Sequence, residues 1–428
     1  MLELLERPDI LLEKSLPAEQ LGRLRHVAAA ATARHLPLYL VGGFVRDLLL
    51  GIPANDFDLV VEGDAIRLAQ ALAAQFGGQV TAHLRFGTAQ WFLPDSAGHA
   101  LDFISTRSET YRHPAALPSV QPGRLADDLA RRDFTINTLA LRLDGQHWGE
   151  LCDEQGGLAD LRRGLVRVLH PGSFLDDPTR LFRAVRYEQR YGFQIAPDTL
   201  ALLPPARSLI GSLSAERLRH ELDLILTEEK SLNMLDRLAE LDLLQPIHPG
   251  LAWEAAKRRR FIAGWQRHKQ PGLQGFTSAI ENSFLNWHFW LLDLSPTDLA
   301  GIERRLHFHA KLLRSLLAAS ALFGDLPSLD NMKPSQTVMR LDDLPLTAVY
   351  AVFLCSPAGA ARQNLSAYLE TWRHITPRTT GHDLKKLGLP EGPRYQQIIT
   401  RLRQAWLDGE LRTEAEELDL RARLIENP

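Results

Sequence analysis

Two aspartates, two residues apart at the start of an apolar strand, constrain this chain more than any other feature of its sequence. Residues 38–41 have the character of a strand and run into Gly42 and Gly43, after which the pattern becomes helical. Asp56 and Asp58 follow and lead into a second apolar run. Because side chains alternate faces along a strand, these two carboxylates lie on the same side of it. The spacing predicts a Mg²⁺ site, since Mg²⁺ is usually held by one or two protein carboxylates together with substrate phosphates.

The two glycines predict a second part of the same site. Backbone amides at the start of a helix can bind the phosphates of a nucleotide. Arg46 and Asp47 lie at this helix start. Each also has a simpler interpretation, because an acidic residue favours the positive end of a helix and an arginine can be a surface residue. Asp-x-Asp and Gly-Gly are each common in turns, whereas strand, Gly-Gly, helix and Asp-x-Asp in this order are specific.

Length and composition indicate a soluble protein of several domains. The chain of 428 residues is long enough for about three domains of roughly 150 residues each. Hydrophobic residues make up 45% of it and charged residues 24%. No apolar run approaches the roughly 20 residues that span a bilayer, and the acidic start lacks the basic region of a signal peptide. We therefore expect a cytoplasmic protein without a membrane partner.

Two arginine-rich stretches indicate nucleic-acid binding although the formal net charge is −3. Phosphate contacts require local rather than global positive charge. Residues 160–190 contain seven arginines against four acidic residues. Residues 257–260 are one lysine and three arginines, followed by Arg267 and Lys269 among aromatic residues. Each cluster is either an RNA-binding surface or a solvated helix face.

Hydrophobic periodicity divides the chain into a mixed head and a helical remainder. The strand-like runs of the head are residues 38–41, 57–61, 88–92 and 100–105, and residues 65–76 form a helical stretch between them. After residue 151 nearly all of the pattern is helical and is interrupted by proline and glycine clusters. The predicted segments are a helical lead-in (1–35), a head (36–150), a neck (151–230), a body (231–330) and a tail (331–428).

Three motifs resemble those of one enzyme family. The first is Gly42-Gly43-x-Val45-Arg46-Asp47 followed by Asp56-x-Asp58, the second is residues 131–137, and the third is Asp176-Asp177-Pro178-Thr179-Arg180 with the helical run 181–187. In this order they resemble the class II tRNA nucleotidyltransferases of the DNA polymerase β superfamily, whose head is shared by the bacterial poly(A) polymerases. A pattern between residues 368 and 410 resembles the tail of the bacterial enzymes, which holds the acceptor arm of tRNA.

The resemblance implies an α+β fold, in which a small polymerase-β-like head precedes an all-helical neck, body and tail. It implies template-independent addition of all or part of the 3′-terminal CCA to tRNA from CTP and ATP, with Mg²⁺ as cofactor and release of pyrophosphate. Asp56 and Asp58 would be the catalytic carboxylates that hold the metal. Such sites often recruit a further carboxylate from a neighbouring strand, and Asp102 is the candidate. The alternative for Asp102 is an edge charge of the sheet.

The resemblance also implies how the nucleotide is held. The residues that it assigns to the triphosphate are Gly42, Gly43, Arg46 and Arg132. Asp133 and Asn137, four residues apart and so on one face if the segment is helical, would contact the ribose 2′-hydroxyl and select ribonucleotides. The alternative for Asp133 is a helix N-cap.

A third implied role concerns the choice of base. Asp177 and Arg180 would hydrogen-bond the Watson–Crick edge of the incoming base and so replace a nucleic-acid template, with Arg183 on the same helix face. Asp177 also fits an N-cap followed by proline. Asp176 stands where the family more often has glutamate, and this shortens the side chain.

Two other functions stay open at the level of sequence. A poly(A) polymerase shares the head and acts on RNA 3′ ends, but the tail pattern favours tRNA. A non-catalytic RNA-binding protein could keep a relict head, but Asp56, Asp58 and Asp133 argue against it. Residues 107–121 correspond to the flexible loop that controls the switch to A addition in the family. Whether this protein adds CCA, CC or A stays open, as does its oligomeric state.

Overall fold

The computed structural model describes residues 7–53, 58–94, 100–110, 119–270 and 281–426. These residues belong to two units, Met1–Ser214 and Ala215–Pro428, each of which has its own interior. None of the helices in the described ranges is long and apolar enough to cross a membrane. The finer division into lead-in, head, neck, body and tail stays a prediction.

Strands and helices alternate through most of the first unit. Its strands are β1 (Leu38–Val41), β2 (Asp58–Val61), β3 (Gln79–His83), β4 (Thr88–Phe92), β5 (Ala100–Ser105), β6 (Arg107–Thr110), β7 (Ser119–Pro122), β8 (Ala140–Arg142), β9 (Glu150–Cys152), β10 (Leu165–Val166) and β11 (Gln194–Ile195). Its helices are α1 (Pro8–Ser15), α2 (Ala18–Thr32), α3 (Gly43–Leu49), α4 (Ala65–Phe76), α5 (Leu125–Ala130), α6 (Gly157–Arg163), α7 (Ser173–Asp176), α8 (Thr179–Tyr191), α9 (Pro197–Leu200) and α10 (Leu203–Arg207).

Seven strands form one mixed sheet in the order β3-β4-β5-β2-β1-β8-β9. Among the described pairings of this sheet, β2 with β5 is parallel and the others are antiparallel. Strands β6 and β7 form a separate antiparallel ribbon, and β10 pairs in parallel with β11. The α+β prediction is confirmed, and the short pair β10 and β11 is a small β addition to the segment predicted to be a helical neck.

Local sequence chemistry sets several of these elements as predicted. Strands β4 and β5 and helix α4 have the predicted bounds, because alternation and helical periodicity are both strong there. The Asp64 side chain accepts a hydrogen bond from the backbone amide of Arg67 at 3.0 Å and caps the start of α4. Gly77, at φ 81°, ends that helix. Strand β2 begins at Asp58, and Phe57, which was predicted to precede it in the strand, lies outside the described residues.

The regular elements among the described residues of the second unit are helices. Its helices are α11 (Ala215–Thr227), α12 (Ser231–Glu240), α13 (Ala255–His268), α14 (Asn282–Leu291), α15 (Pro296–Leu306), α16 (Ala310–Gly324), α17 (Pro334–Leu341), α18 (Leu346–Cys355), α19 (Ala360–Glu370), α20 (Gly381–Lys386), α21 (Pro393–Leu407) and α22 (Glu414–Glu426). Helix α18 packs against α13, α14 and α16. Helices from both sides of residue 330 therefore share one core.

Three of the four cations at 257–260 make structural contacts, while two of the four are exposed on the helix. The Lys257 ammonium is buried and donates to the carbonyl oxygens of Gly250 and Ala252 at 2.9 and 3.0 Å. Arg258 pairs with Asp236 at 2.9 Å and Arg260 with Asp293 at 2.6 Å. These contacts connect α13 to neighbouring segments, and Arg258 and Arg259 are the exposed members of the four.

Candidate functional site

The turn between β1 and α3 depends on glycine at position 42. Gly42 has φ 68°, in the left-handed region that favours glycine. A Cβ at this position would lie 2.3 Å from Nη1 of Arg132, so the Arg132 guanidinium would have to move. Arg132 therefore packs directly against the glycine backbone, and the first and second motifs of the sequence meet at this point.

The two carboxylates nearest to the predicted metal site come from neighbouring strands. Asp58 opens β2 and Asp102 lies in β5, and the two residues are register partners in the parallel pairing of these strands. Register partners project to the same face of a sheet, and Asp58 is exposed there. This arrangement favours the metal-ligand interpretation of Asp102, which is paired on both sides rather than at an edge of the sheet.

These residues fit a Mg²⁺ ion. Two carboxylates on one face supply the hard oxygen ligands that Mg²⁺ prefers, and Mg²⁺ takes its other ligands from water and substrate phosphates. Asp56, the other predicted ligand, lies outside the described residues. Within the described ranges no group of three or more His, Cys, Asp or Glu side chains is close enough to hold a metal ion, so a complete all-protein cage is not part of the described site.

A chain of polar contacts connects the three sequence motifs. Nη1 of Arg46 donates to Oδ1 of Asn137 at 2.5 Å. Nδ2 of Asn137 donates to Oδ1 of Asp133 at 2.8 Å, and Arg183 donates to Oδ2 of the same carboxylate from Nε at 2.7 Å. Arg46, Asn137 and Asp133 are all at least 90% buried. The network holds α3, the 131–137 segment and α8 in a fixed arrangement.

The Asp133 carboxylate is fully used within this network. Besides the bonds above, Oδ1 accepts from the Phe134 amide at 2.9 Å and Oδ2 accepts from Nη2 of Arg183 at 2.6 Å. Burial would raise the pKa of this carboxyl, but the charges and hydrogen bonds of Arg183 and Asn137 outweigh burial, and the pKa is lowered. The segment forms a 3₁₀ turn, Thr135–Asn137, whose N-cap is Phe134. Asp133 is therefore not the N-cap of this turn.

Arg46 lies between a carboxylate and two aromatic rings. Its guanidinium carbon is 4.6 Å from the ring centre of Tyr191 and 5.1 Å from that of Tyr187. Its Nε donates to Asp47 at 2.9 Å, and the Tyr191 hydroxyl donates to the same carboxylate oxygen at 2.9 Å. Burial alone would lower the pKa of Arg46, but the bond to Asp47 and the two tyrosines raise it. Arg46 is thus a buried residue that connects α3 to α8, and not a surface residue.

A buried carboxylate positions the two arginines of the second motif. Asp128 is fully buried and accepts from Arg131 at 2.6 Å and from Arg132 at 3.1 Å. Arg131 also pairs with Glu109 on β6 at 3.0 Å. The ribbon of β6 and β7 is therefore tied to the second motif through one ion pair.

Asp177 and Arg180 each make structural contacts of their own. Oδ1 of Asp177 accepts from the amide of Thr179 at 3.0 Å and from its hydroxyl at 2.6 Å, which organises the start of α8. Nη1 of Arg180 donates to Oγ of Ser173 at 2.6 Å, and Nη2 donates to the carbonyl oxygen of Arg131 at 2.8 Å. A guanidinium has five N–H groups. Arg180 uses three of them in its hydrogen bonds to Ser173 and Arg131, and the other two take no part in these bonds. Oδ2 of Asp176 lies 3.7 Å from Nε2 of His170.

One cavity of about 480 Å³ lies where residues of the three motifs meet. The charged residues that line it are Arg46, Asp58, Glu109, Arg131, Arg132, Asp133, Asp177, Arg180, Arg183, Arg186 and Arg190. The remaining lining residues are Gly43, Ile104, Asn137, Thr179 and Tyr187. Seven arginines against four carboxylates make the cavity positive, with a carboxylate from β2 at its wall. Such a surface can bind a triphosphate beside a metal ion.

Comparison with known proteins gives the family. The family model described as the Poly A polymerase head domain matches residues 38–167, and the one described as a probable RNA and SrmB-binding site of polymerase A matches residues 192–254. A protein of Geobacter sulfurreducens named A-adding tRNA nucleotidyltransferase is 35% identical over 97% of this chain, which spans 48% of the relative's own length. One of Halalkalibacterium halodurans with the same name is 32% identical over 91% of this chain and 89% of its own length. The chain belongs to the tRNA nucleotidyltransferase family.

A solved structure of a tRNA nucleotidyltransferase agrees with this assignment along the whole chain. The Thermotoga maritima CCA-adding enzyme complexed with tRNA superimposes with a TM-score of 0.78 at 26% identity, covering 97% of each chain. Other relatives carry the names CC-adding tRNA nucleotidyltransferase and CCA-adding enzyme. The family is therefore one of enzymes, and its named members differ in the nucleotides that they add.

Several residues of this tRNA nucleotidyltransferase site were not predicted individually. Arg131, Arg186 and Arg190 line the cavity, as does Tyr187. Arg186 and Arg190 belong to the arginine-rich stretch of the sequence, and their spacing of three and seven from Arg183 places them on one face of α8. Helical phasing of that stretch could have identified them. Asp128 precedes Arg131 and Arg132 by three and four residues, so the same helical spacing could have identified it. Glu109 gives no such signal, because its partner Arg131 lies in another segment of the chain.

Proposed function

We propose that this protein transfers a nucleotidyl group to the 3′-hydroxyl of tRNA, with release of pyrophosphate. The observation that carries the proposal is the convergence of the three motifs on one positive cavity beside the Asp58 carboxylate. Asp58, with Asp102 and Asp56, would hold Mg²⁺. When bound, Mg²⁺ lowers the pKa of the attacking hydroxyl and neutralises charge on the leaving pyrophosphate. We expect this activity in the cytoplasm.

The arginines would position the nucleotide. Arg132 and the arginines of α8 present guanidinium groups to the cavity, and such groups bind phosphate oxygens in a bidentate manner. Arg46 also lines the cavity and holds Asn137 in place through a hydrogen bond. The Asp133 carboxylate is paired with Arg183, and this pair stabilises the segment. If Arg183 turned toward the triphosphate, Oδ2 of Asp133 would be released and could contact the ribose 2′-hydroxyl. Asp177 and the two remaining N–H groups of Arg180 would read the base.

We further propose that the nucleotide added is the terminal A. Two relatives named A-adding align with this chain over 97% and 91% of its length. The ribbon of β6 and β7 supports the same proposal. Its two strands are formed by the beginning and the end of the predicted loop for A addition. Glu109 in β6 pairs with Arg131, whose carbonyl oxygen accepts a hydrogen bond from Arg180. Residues 111–118 of that loop lie outside the described residues.

One set of assays tests the proposal. Purified protein is incubated with tRNA ending before CCA, after C or after CC, with CTP or ATP singly. We expect incorporation of a single A on tRNA ending in CC. Incorporation of C on either shorter tRNA would instead assign CC or CCA addition. Repeated A addition to an unstructured RNA oligonucleotide would assign poly(A) polymerase activity, and no incorporation on any RNA would leave a binding protein.

The helical second unit would hold the tRNA acceptor arm. RNA duplexes are recognised mainly through phosphates, sugars and overall shape, and a helical surface can follow a duplex over several phosphates. The solved relative in complex with tRNA, which covers this chain at both ends, supports this role. Affinity for tRNA should accordingly fall as the salt concentration rises.

A further inference from the structure

A second positively charged cavity lies in the helical unit. Its volume is about 420 Å³, and it forms where the end of α13 meets the first half of α19. The residues lining it are Arg267, Gln270, Phe353, Arg362, Gln363 and Ser366. Among these described residues there are two arginines and two amides but no carboxylate. The Ser366 hydroxyl donates to Glu370 at 2.9 Å, outside the cavity, so the arginines and amides are the donors that remain for a ligand.

Arg267 has a structural role that fixes its position. Its Nη1 donates to the carbonyl oxygen of Leu354 and, at 2.8 Å, to that of Ser356. These carbonyls end α18, where a cation stabilises the helix. The pKa of Arg267 is lowered, first by burial and then by the positive charge of Arg362. Capping of α18 accounts for Arg267 but not for a second arginine beside it.

Arg362 has no structural role of this kind. It is half-buried on α19, and within the described ranges it forms no hydrogen bond or ion pair. A guanidinium held near another guanidinium without a counter-charge is unfavourable, because like charges repel more strongly where water is partly excluded. An anion between the two arginines would remove this repulsion and use their N–H groups in charge-assisted hydrogen bonds.

We infer that the cavity between Arg267 and Arg362 binds a phosphate group of the tRNA backbone. The inference rests on the proposed function, because it takes tRNA as the polyanion held by the helical unit. The cavity is open enough for a backbone phosphate to enter, and its amides from Gln270 and Gln363 can donate to the non-bridging oxygens. A free phosphate ion has the same chemistry, so the test separates the two sources.

The test compares Arg362→Gln with Arg314→Gln. Arg314 is an exposed arginine of α16 without a partner in the described residues and outside the cavity, so its replacement removes the same charge. We expect Arg362→Gln to weaken tRNA binding roughly 3- to 10-fold at low salt and to reduce the slope of log affinity against log salt by about 0.9, the value for one phosphate contact. Arg314→Gln should change neither quantity, and Arg362→Lys should recover part of the affinity.

Two further readouts separate the possible failures. The tRNA concentration at which Arg362→Gln reaches half of its maximal rate of nucleotide addition should rise together with the dissociation constant for tRNA, because the residue belongs to the helical unit and not to the head. Equal tRNA affinity and salt slope in parent and Arg362→Gln, with the parent active, overturn the phosphate site alone. Inactivity of the parent on every tRNA overturns the proposed function. If inorganic phosphate raises the Tm of the parent but not of Arg362→Gln, while tRNA affinity is unchanged, the ligand is free phosphate and the RNA assignment is wrong.

Discussion

Asp133 and Arg183, fifty residues apart in sequence, form the ion pair that joins the second motif to helix α8, with Arg183 Nε 2.7 Å from the carboxylate. The Asp133 side chain is buried, whereas about a third of the Arg183 side chain is exposed. The pair therefore combines a buried carboxylate with an arginine that still reaches the cavity. This relationship leads to two measurable consequences.

Replacing Asp133 by Ala should destabilise the protein strongly. The change leaves Arg183 and Asn137 without their common acceptor, and breaking such a pair costs about 2 to 4 kcal/mol when one partner is partly exposed. Urea unfolding followed by circular dichroism measures the loss. The control is Arg67→Ala, which breaks the exposed pair between Arg67 and Asp64 and should cost less than about 1 kcal/mol. A similar cost for both variants would contradict the structural role of the Asp133 pair.

The same carboxylate gives an acid-dependent loss of stability. Its pKa is lowered in the folded protein, so the unfolded chain takes up the proton first as the pH falls. The stabilisation is therefore complete above the ordinary Asp pKa of about 4 and is lost as the pH falls through the lower folded value. The difference in unfolding free energy between the parent and Asp133→Asn should shrink across that range. A difference that is constant from pH 6 to pH 3 would show that the charge of Asp133 is not what stabilises the fold.

The parallel register of β2 and β5 makes Asp102 testable as a metal ligand. Asp58→Asn should reduce nucleotide addition by about 100-fold or more, because transition-state charge stabilisation is lost. Asp102→Asn should reduce it less and raise the Mg²⁺ concentration for half-maximal rate by about 10-fold. Glu62→Gln, just beyond the other end of β2, is the matched control and should behave as the parent. Unchanged Mg²⁺ dependence in Asp102→Asn would restrict the site to the carboxylates of Asp56 and Asp58.

One substitution can separate the two possible roles of Asp177, capping of α8 and reading of the base. Asp177→Asn keeps an oxygen that accepts from the amide and hydroxyl of Thr179, and Asn and Asp are equivalent at such positions. Its amide nitrogen, however, donates where the carboxylate accepts. We expect an altered ratio of CTP to ATP use with a stability change below about 0.5 kcal/mol. An unaltered ratio in Asp177→Asn, together with a loss of about 1 kcal/mol in Asp177→Ala, would leave only the cap.

A buried histidine in the helical unit predicts a second pH effect. His288 is fully buried, its Nδ1 lies 2.7 Å from the carbonyl oxygen of Phe284, and its Nε2 lies 2.7 Å from Oγ of Ser315. Because the carbonyl can only accept, Nδ1 carries the proton and Nε2 accepts from the serine. Burial lowers the pKa to about 4. The ring is therefore neutral in the folded protein at any pH above that value.

The stability change follows from this shift. Between the unfolded pKa of about 6.5 and the folded value, the unfolded chain binds more protons, so unfolding becomes easier as the pH falls. The loss over this range should be about 3 kcal/mol. His288→Gln should be less stable than the parent at pH 7.5 but should show a flatter pH dependence between pH 6.5 and 4. An equally steep dependence in this variant would assign the effect to other groups.

Local patterns predicted the elements that position the site. Alternating and helical periodicities gave β4, β5 and α4 with the observed bounds. The glycines of the first motif indicated the turn against which Arg132 packs. The sequence also identified Asp58, Asp133 and Arg180 as candidate site residues, because each lies in a motif that resembles one of the family. What the sequence could not give was the partner of each side chain. For Asp133 the ribose contact stays a prediction and the cap was wrong, and no local pattern indicated its ion pair with Arg183.

By itself, the sequence determined the fold class, an α+β head followed by helices, and it supplied the groups of the proposed chemistry: carboxylates that would hold a metal and arginines that would bind phosphates. The tertiary structure decided which of these groups act together. Asp102 lies beside Asp58 because β2 and β5 pair in parallel. Lys257 and Arg260 make structural contacts rather than RNA contacts, because α13 packs them against backbone carbonyls and Asp293. Strand register and helix packing depend on the free energy of the whole core, which no local stretch of sequence contains.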